Sequence, residues 1–191
     1  MTIIKQKNQR VAIFIDTQNL YHSARNLYGA NVNFKNILKD ALGNRALIRA
    51  IAYVITTESK DESPFFEALE KAGIETKTKD LQIFFGGAKK ADWDVGIAID
   101  AIRLAPKVDA IVIVSGDGDF VPLVEYLKFS TGVQIEVMSF LQSSSAKLLE
   151  ATDHFTDLSI NKSKYLIYKN KKQKPKIKKD KVTIIENKRK K

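Results

Sequence analysis

The sequence predicts an α/β fold, a three-layer α-β-α sandwich with a central, mainly parallel sheet and a basic C-terminal tail. Short, continuous apolar runs such as residues 11–15 and 110–114 are typical of parallel strands buried on both faces. Segments with helical spacing of apolar residues alternate with these runs along the chain. This alternation indicates a sheet covered by helices on both sides.

Each predicted element has a local signal. The predicted strands are residues 11–15, 47–56, 74–79, 81–85, 110–114 and 133–140, all rich in apolar or β-branched residues. The predicted helices are residues 18–27, 33–42, 63–73, 91–105, 120–130 and 146–151. Ser63-Pro64 is a typical helix start, Pro106 stops one helix, and Gly43 and Gly132 follow the ends of two others.

Composition excludes several classes of site. The chain of 191 residues has no cysteine and two histidines, His22 and His154. Disulfides and thiolate-ligated zinc are therefore excluded, and a Ser-His-Asp triad is poorly supported. No apolar run approaches the roughly 20 residues of a membrane span, and no signal peptide precedes the first strand. We expect a cytoplasmic protein without a membrane partner, and the sequence leaves a homodimer open.

The positive charge is confined to the end of the chain. Residues 1–160, the predicted domain, carry 18 Lys/Arg against 20 Asp/Glu, whereas residues 161–191 carry 14 against 2. Such a tail is expected to be largely disordered and to attract polyanions by counterion release. RNA, DNA, an anionic membrane or solubility alone would each account for it. The candidate nucleic-acid-binding residues are Lys171, Lys172, Lys174, Lys176, Lys178 and Lys179. Two apolar islands, residues 165–168 and 182–185, would add a strand or contact a partner.

Polar residues follow two of the predicted strands directly. Asp16 closes the first strand, with Asn19 one helical turn later, and Ser115-Gly-Asp117-Gly-Asp119-Phe120 follows residues 110–114. A helix cap would explain Asp16 alone, but a cap does not explain both Asp117 and Asp119. The intervening glycines allow a tight turn and leave space for a closely approaching ligand.

A third acidic segment, Lys89-Lys90-Ala91-Asp92-Trp93-Asp94, opens the helix over residues 91–105. One helix start needs only one cap, so the second acid is unexplained by capping. Asp100 lies six residues beyond Asp94, almost on the opposite side of the helix. We expect one of the two to make a core hydrogen bond, and Asp94 is the better ligand candidate. Lys90 is a candidate phosphate clamp, and Ser115 and Asp92 are further site candidates.

The carboxyl ends of parallel strands form the usual ligand crevice of such sheets. Asp16, Asp94, Asp117 and Asp119 are therefore expected to gather there as metal ligands. Carboxylates at short distance resist ionising together unless a cation neutralises them. Oxygen ligands of this kind favour Mg²⁺ or Mn²⁺, and a carboxylate-bound metal is a common device of phosphoryl-transfer enzymes.

These motifs resemble the NYN domain, a branch of the PIN-like nuclease superfamily, and within it the bacterial LabA-type group. The opening family pattern, Asp-x-x-Asn after a strand, matches Asp16 and Asn19. The Ser-Gly-Asp-x-Asp-Phe signature is unmodified at residues 115–120. A central Lys-x-x-Asp-Val-x5-Asp pattern matches Asp94 and Asp100, with Lys90 one residue further from Asp94 than usual.

The resemblance, which covers about residues 10–155, implies a Mg²⁺- or Mn²⁺-dependent ribonuclease that hydrolyses RNA phosphodiesters and leaves a 5′-phosphate. The catalytic residues it implies are Asp16, Asn19, Asp94, Asp117 and Asp119. The alternative is a catalytically inactive module of the same fold that binds RNA or a protein. A DNA nuclease stays possible because no identifiable residue reads the 2′-hydroxyl. An aspartyl-phosphate phosphatase is disfavoured because Gln18 stands where its second aspartate is needed.

Overall fold

The computed structural model describes residues 3, 5–56, 62–83, 89–90 and 92–168. The strands are β1 Arg10–Asp16, β2 Asn31–Val32, β3 Ala46–Thr56, β4 Glu75–Asp80, β5 Gln82–Ile83, β6 Lys89–Lys90, β7 Ala110–Val114, β8 Gln134–Ser139, β9 His154–Asp157 and β10 Leu166–Ile167. The helices are α1 Thr17–Tyr28, α2 Phe34–Leu42, α3 Ser63–Lys71, α4 Asp94–Leu104, α5 Val121–Thr131, α6 Ala146–Ala151 and α7 Lys162–Tyr165.

The central sheet has six strands in the order β4-β3-β1-β7-β8-β9, and every neighbouring pair is parallel. From β1 the chain first moves outward through β3 and β4, then returns to β7 and moves outward through β8 and β9 on the other side. The order therefore reverses between β1 and β7. Ligand crevices of open α/β sheets lie at the carboxyl ends of the strands at such a reversal.

Helices cover both faces of the sheet, as predicted. Strand β1 is buried on both sides because its side chains alternate between two cores. Val11, Ile13 and Ile15 pack with buried residues of α1, α2 and α3. Ala12 and Phe14 pack with buried residues of α4, α5 and α6. The continuous apolar runs of the sequence thus reflect two hydrophobic cores, one on each face.

The structure adds short elements that periodicity does not reveal. Strand β9 is four residues long and only half-buried at the edge of the sheet, so His154–Asp157 has no apolar run to mark it. Strand β5 covers only Gln82–Ile83 of the predicted strand over residues 81–85, and residues 84–85 lie outside the described part. Helix α4 begins at Asp94, and residue 91 of the predicted helix also lies outside it.

Residues 161–168, which the sequence assigned to the tail, pack on the domain. Strand β10 pairs with β2, and Asn33 N donates to Tyr165 O at 2.8 Å. Lys164 Nζ lies 2.6 Å from Asp40 Oδ2, and the Tyr165 hydroxyl donates to the same carboxylate. The apolar island at residues 165–168 therefore supplies a strand. The island at residues 182–185 lies outside the described residues. Within the described chain, no helix is long and apolar enough to cross a membrane.

Candidate functional site

Asp16 and Ser115 lie side by side at the carboxyl end of the sheet because β1 and β7 are adjacent parallel strands. The strand register pairs Ile15 with Val114, which places the next residue of each strand at the same level. Ser115 Oγ donates to Asp16 Oδ2 at 3.1 Å, and both residues are buried. The strand pairing thus joins two motifs that are 99 residues apart.

Further hydrogen bonds connect the two motifs into one network. Asp16 caps α1, since Asn19 N donates to Asp16 Oδ1 at 3.0 Å. Asn19 Oδ1 in turn accepts a 3.0 Å hydrogen bond from Gly116 N. Asp117 N donates to Ser115 Oγ at 3.2 Å, and Asp119 N donates to Asp117 Oδ1 at 3.0 Å. Asp16 therefore serves both as a helix cap and as a member of the carboxylate group, and the amide oxygen of Asn19 fixes the loop after β7.

The glycines of this loop are needed for packing and leave no ligand space, which corrects the sequence interpretation. A Cβ atom on Gly116 would lie 2.8 Å from the carbonyl oxygen of Ser143, and one on Gly118 would lie 2.9 Å from Ser145 Oγ. Ser145 N also donates to Gly116 O at 2.9 Å. Neither glycine has a positive φ. The serine loop, residues 143–145, thus fills the space beside both glycines and supports the acidic turn from behind.

The start of α4 carries Asp94, and Trp93 fixes its position. Trp93 Nε1 donates to Val54 O at 3.1 Å, and its ring makes an edge contact with Tyr53 at 5.3 Å. A Cβ on Gly96 would lie 2.6 Å from the Trp93 ring, so glycine at this position lets the indole fold over the first turn of the helix. The anchored indole holds the beginning of α4 against the sheet edge, next to Asp16 and Asp117.

A cavity of about 490 Å³ opens between α1 and the beginning of α4. Asp16, Asp92, Asp94 and Asp117 all line it. Among the described residues that line the cavity, none is a lysine or an arginine. Four carboxylates therefore share one cavity, and His22 is the one basic side chain among its described lining residues.

The pKa values of Asp94 and Asp16 show how burial and neighbouring charges act on these carboxylates. The pKa of Asp94 is raised to about 6 by burial, and then by the charges of Asp117, Asp16, Asp92 and Asp119. The pKa of Asp16 is also raised, because the effect of burial is larger than the lowering effect of the hydrogen bonds from Asn19 and Ser115. These carboxylates repel one another in the metal-free protein. Their oxygen atoms, with the neutral oxygens beside them, match the ligand chemistry of a hard divalent cation. Yet no three Asp, Glu or His side chains of the described residues are already gathered closely enough to hold a metal ion.

Asp100 lies apart from this group although it is on the same helix as Asp94. It accepts a 2.7 Å hydrogen bond from the Tyr53 hydroxyl and a 2.6 Å contact from Lys77 Nζ. Burial raises the pKa of Asp100, but the hydrogen bonds from Lys77 and Tyr53 lower it by more. The pKa of Asp100 therefore lies below its usual value. Asp100 thus makes the core hydrogen bond that the sequence expected of one of the two residues, and Asp94 is the residue in the cavity.

The other candidates fall into two groups. Asp119 is exposed and does not line the cavity, although its charge reaches Asp94. The side chain of Lys90 lies outside the described part of the structure, and so do the tail lysines at residues 171–179.

Sequence reasoning missed the polar wall that α1 contributes to the cavity. Besides Asn19, the side chains on this wall are Gln18, His22, Ser23 and Asn26. Ser143, from the serine loop, also lines the cavity. A signal was present, since hydrogen-bonding residues recur every three to four positions along α1, opposite its buried Leu20 and Ala24. Polar residues with this spacing usually face solvent, so only the cavity distinguishes them.

Comparison with known proteins identifies the family and supports the fold. Residues 10–160 match the model of the NYN domain family. The chain is 31% identical over 159 residues to the low amplitude and bright protein LabA of Synechococcus elongatus, covering 78% of this chain and 84% of that protein. A crystal structure of a protein of unknown function from Vibrio parahaemolyticus superposes with a TM-score of 0.77 at 30% identity, covering 86% of this chain and all of the other. The match to the family model and the identity to LabA show that the chain belongs to the NYN domain family.

Proposed function

We propose that this protein is a divalent-metal-dependent ribonuclease that hydrolyses RNA phosphodiester bonds in the cavity between α1 and α4. The observation that carries the proposal is the gathering of four carboxylates in a cavity whose described lining has no lysine or arginine. A phosphodiester is an anion and would be repelled from such a lining. A bound Mg²⁺ or Mn²⁺ ion would reverse the sign of the local charge.

The chain's own residues would divide the work as follows. Asp16, Asp94 and Asp117 would hold the cation from the ends of β1 and β7 and the beginning of α4, and Asp119 would complete the negative charge at the mouth. Asn19 and Ser115 would position Asp16 and Asp117 through the hydrogen bonds described above. When bound, the metal would polarise the phosphodiester and lower the pKa of the attacking water. The products would carry a 5′-phosphate.

RNA would reach this cavity with help from the basic tail. The lysines at residues 171–179 would neutralise phosphates by counterion release without reading sequence. We expect this activity in the cytoplasm.

Cleavage of end-labelled single-stranded RNA by the full-length protein tests the proposal. We expect cutting in Mn²⁺ or Mg²⁺, no cutting in chelator, and a loss of at least a hundredfold in Asp117→Asn. Glu125→Gln is the matched control, because it makes the same carboxylate-to-amide change at an exposed position of α5. Equal cutting by wild type and Asp117→Asn would contradict the proposed site.

A catalytically inactive RNA-binding module is the second candidate, and the tail's net charge of +12 favours it. Truncation after Tyr168 separates the two, because residues 161–168 pack on the domain and only later residues are removed. A nuclease should keep metal-dependent cutting with weaker RNA binding. A binding module should lose RNA binding altogether and show no cutting before or after truncation.

A further inference from the structure

The α1 side of the cavity is built from polar side chains that form no hydrogen bond within the described part of the chain. Gln18, His22, Ser23 and Asn26 line the cavity, and none of their side chains forms a hydrogen bond with another described residue. Ser23 is 8% exposed and Gln18 is half-buried, whereas His22 and Asn26 are exposed. Donors and acceptors that line a cavity without a protein partner are free to bind a ligand.

The chemistry of this wall differs from that of the carboxylate end. Its two carboxamides and one hydroxyl each offer both a donor and an acceptor without a charge. Residues 18, 22 and 26 follow one another at one-turn intervals, so the wall extends about 12 Å along α1 from the carboxylates. The opposite side of the cavity offers the aromatic ring of Trp93, which is already held by Val54 and Tyr53.

We propose that Gln18, Ser23 and Asn26 bind the edges of the nucleobases that flank the scissile phosphate and so give the enzyme a base preference, an inference that rests on the proposed ribonuclease function. A phosphate is a poorer fit for this wall, because His22 is the one basic side chain among the described lining residues and most of the wall is uncharged. A nucleobase fits better, since its edge carries neutral donors and acceptors that carboxamides pair with. Trp93 supplies the aromatic surface on which bases stack.

The test is cleavage of an RNA library with a randomised centre by the full-length protein in Mn²⁺, with the bases flanking each cut determined by sequencing. We expect wild type to prefer certain bases at the positions that flank the cut. Gln18→Ala, Ser23→Ala and Asn26→Ala should each reduce that preference about tenfold, the scale of one lost base contact. Alanine is the best helix former, so α1 should persist in all three variants.

Two controls separate this role from folding and from metal binding. Asn44→Ala removes an exposed carboxamide at the opposite end of the sheet and should leave the preference unchanged. Mn²⁺ binding, measured by electron paramagnetic resonance, should be the same in the three α1 variants as in wild type. An α1 variant that loses Mn²⁺ binding together with base preference would overturn the base-reading role.

A binding experiment distinguishes failure of the inference from failure of the ribonuclease proposal. The four nucleoside 5′-monophosphates and ribose 5-phosphate are titrated in Mg²⁺ and followed by NMR. Cutting without base preference, with ribose 5-phosphate binding as well as the nucleotides, would overturn the wall's role and leave the nuclease intact. Neither cutting nor nucleotide binding would overturn both. Base-selective binding that shifts the side-chain amides of Gln18 and Asn26 would support the inference by itself.

Discussion

Buried acidic side chains have cationic partners at one end of the central sheet and neutral partners at the other. At the amino end, Glu136 of β8 is 1% exposed, and Arg45 and Lys5 both pair with it. At the carboxyl end, Asp16 of β1 is 9% exposed, and it accepts hydrogen bonds from neutral donors, the backbone of Asn19 and the hydroxyl of Ser115. Glu136 is thus neutralised by cations of the protein itself, whereas under the proposed function the acids of the cavity would bind a cation from solution.

The largest effect should follow from removing the internal cation. Arg45→Met would leave Glu136 buried without its closest partner, and breaking a buried ion pair costs about 3–5 kcal/mol. Urea denaturation should show this loss of unfolding free energy. The double variant Arg45→Met/Glu136→Met removes both charges and should recover most of it. If Arg45→Met is as stable as wild type, Lys5 alone is enough to compensate the buried charge of Glu136.

The second-largest effect should come from adding the divalent cation that the cavity is proposed to bind. Mn²⁺ at about a hundred times its Kd should stabilise the folded protein by about 2.7 kcal/mol, because only the folded state gathers the carboxylates. Thermal denaturation with and without Mn²⁺ measures it. The gain should disappear in Asp94→Asn and persist in Glu125→Gln. An equal gain in Asp94→Asn would place the bound ion elsewhere.

Removing one charge from the cavity should have a smaller, stabilising effect in chelator. Asp94→Asn relieves repulsion from Asp117 and Asp16, so the metal-free variant should gain about 1 kcal/mol, or ~2–4 °C in Tm. Glu136→Gln is the contrasting change and should destabilise the protein, because it leaves the charge of Arg45 buried without its acidic partner. If both substitutions destabilise, the cavity acids are not under electrostatic strain.

The smallest effect is in the pH dependence, where the two ends should differ in sign. The pKa of Asp94 is raised to about 6 in the folded protein, so its contribution to metal-free stability falls as pH rises from about 4 to 6. Partners lower the pKa of Glu136 despite its burial, so its contribution is present above its unfolded value and lost as pH falls. NMR titration of the Asp94 carboxyl should show a lower pKa in Asp117→Asn. An unchanged value would contradict the coupling between these two acids.

Much of the fold was predictable from the sequence because β1 and β7 are buried on both faces and read as continuous apolar runs. Parallel topology also predicted that Asp16 and the motif after β7 lie at the same end of the sheet, and the contact of Asp16 with Ser115 agrees with this. Strand β9 was not predictable, because its four half-buried residues at the sheet edge show no alternation of apolar and polar residues. Strands β2 and β10 are two residues each and depend on a contact across the whole chain.

The candidate site was predictable to a similar extent. The acidic motifs identified Asp16, Asp94 and Asp117, and helical geometry separated Asp94 from Asp100. The α1 wall was not predictable, because polar residues on a helix face solvent unless another element closes over them. The glycines at 116 and 118 were assigned to ligand space for the same reason, since the sequence does not show where the serine loop packs.

The anchoring of Trp93 gives the protein an internal optical reporter. The chain has one tryptophan, and that residue lines the cavity beside Asp92 and Asp94. Its emission therefore comes from a single place, with no background from other indoles. Because hydrogen bonding to Val54 and contact with Tyr53 hold the ring still, changes in emission will report what enters the cavity. Cation and nucleotide titrations can thus be followed by fluorescence without attaching a label.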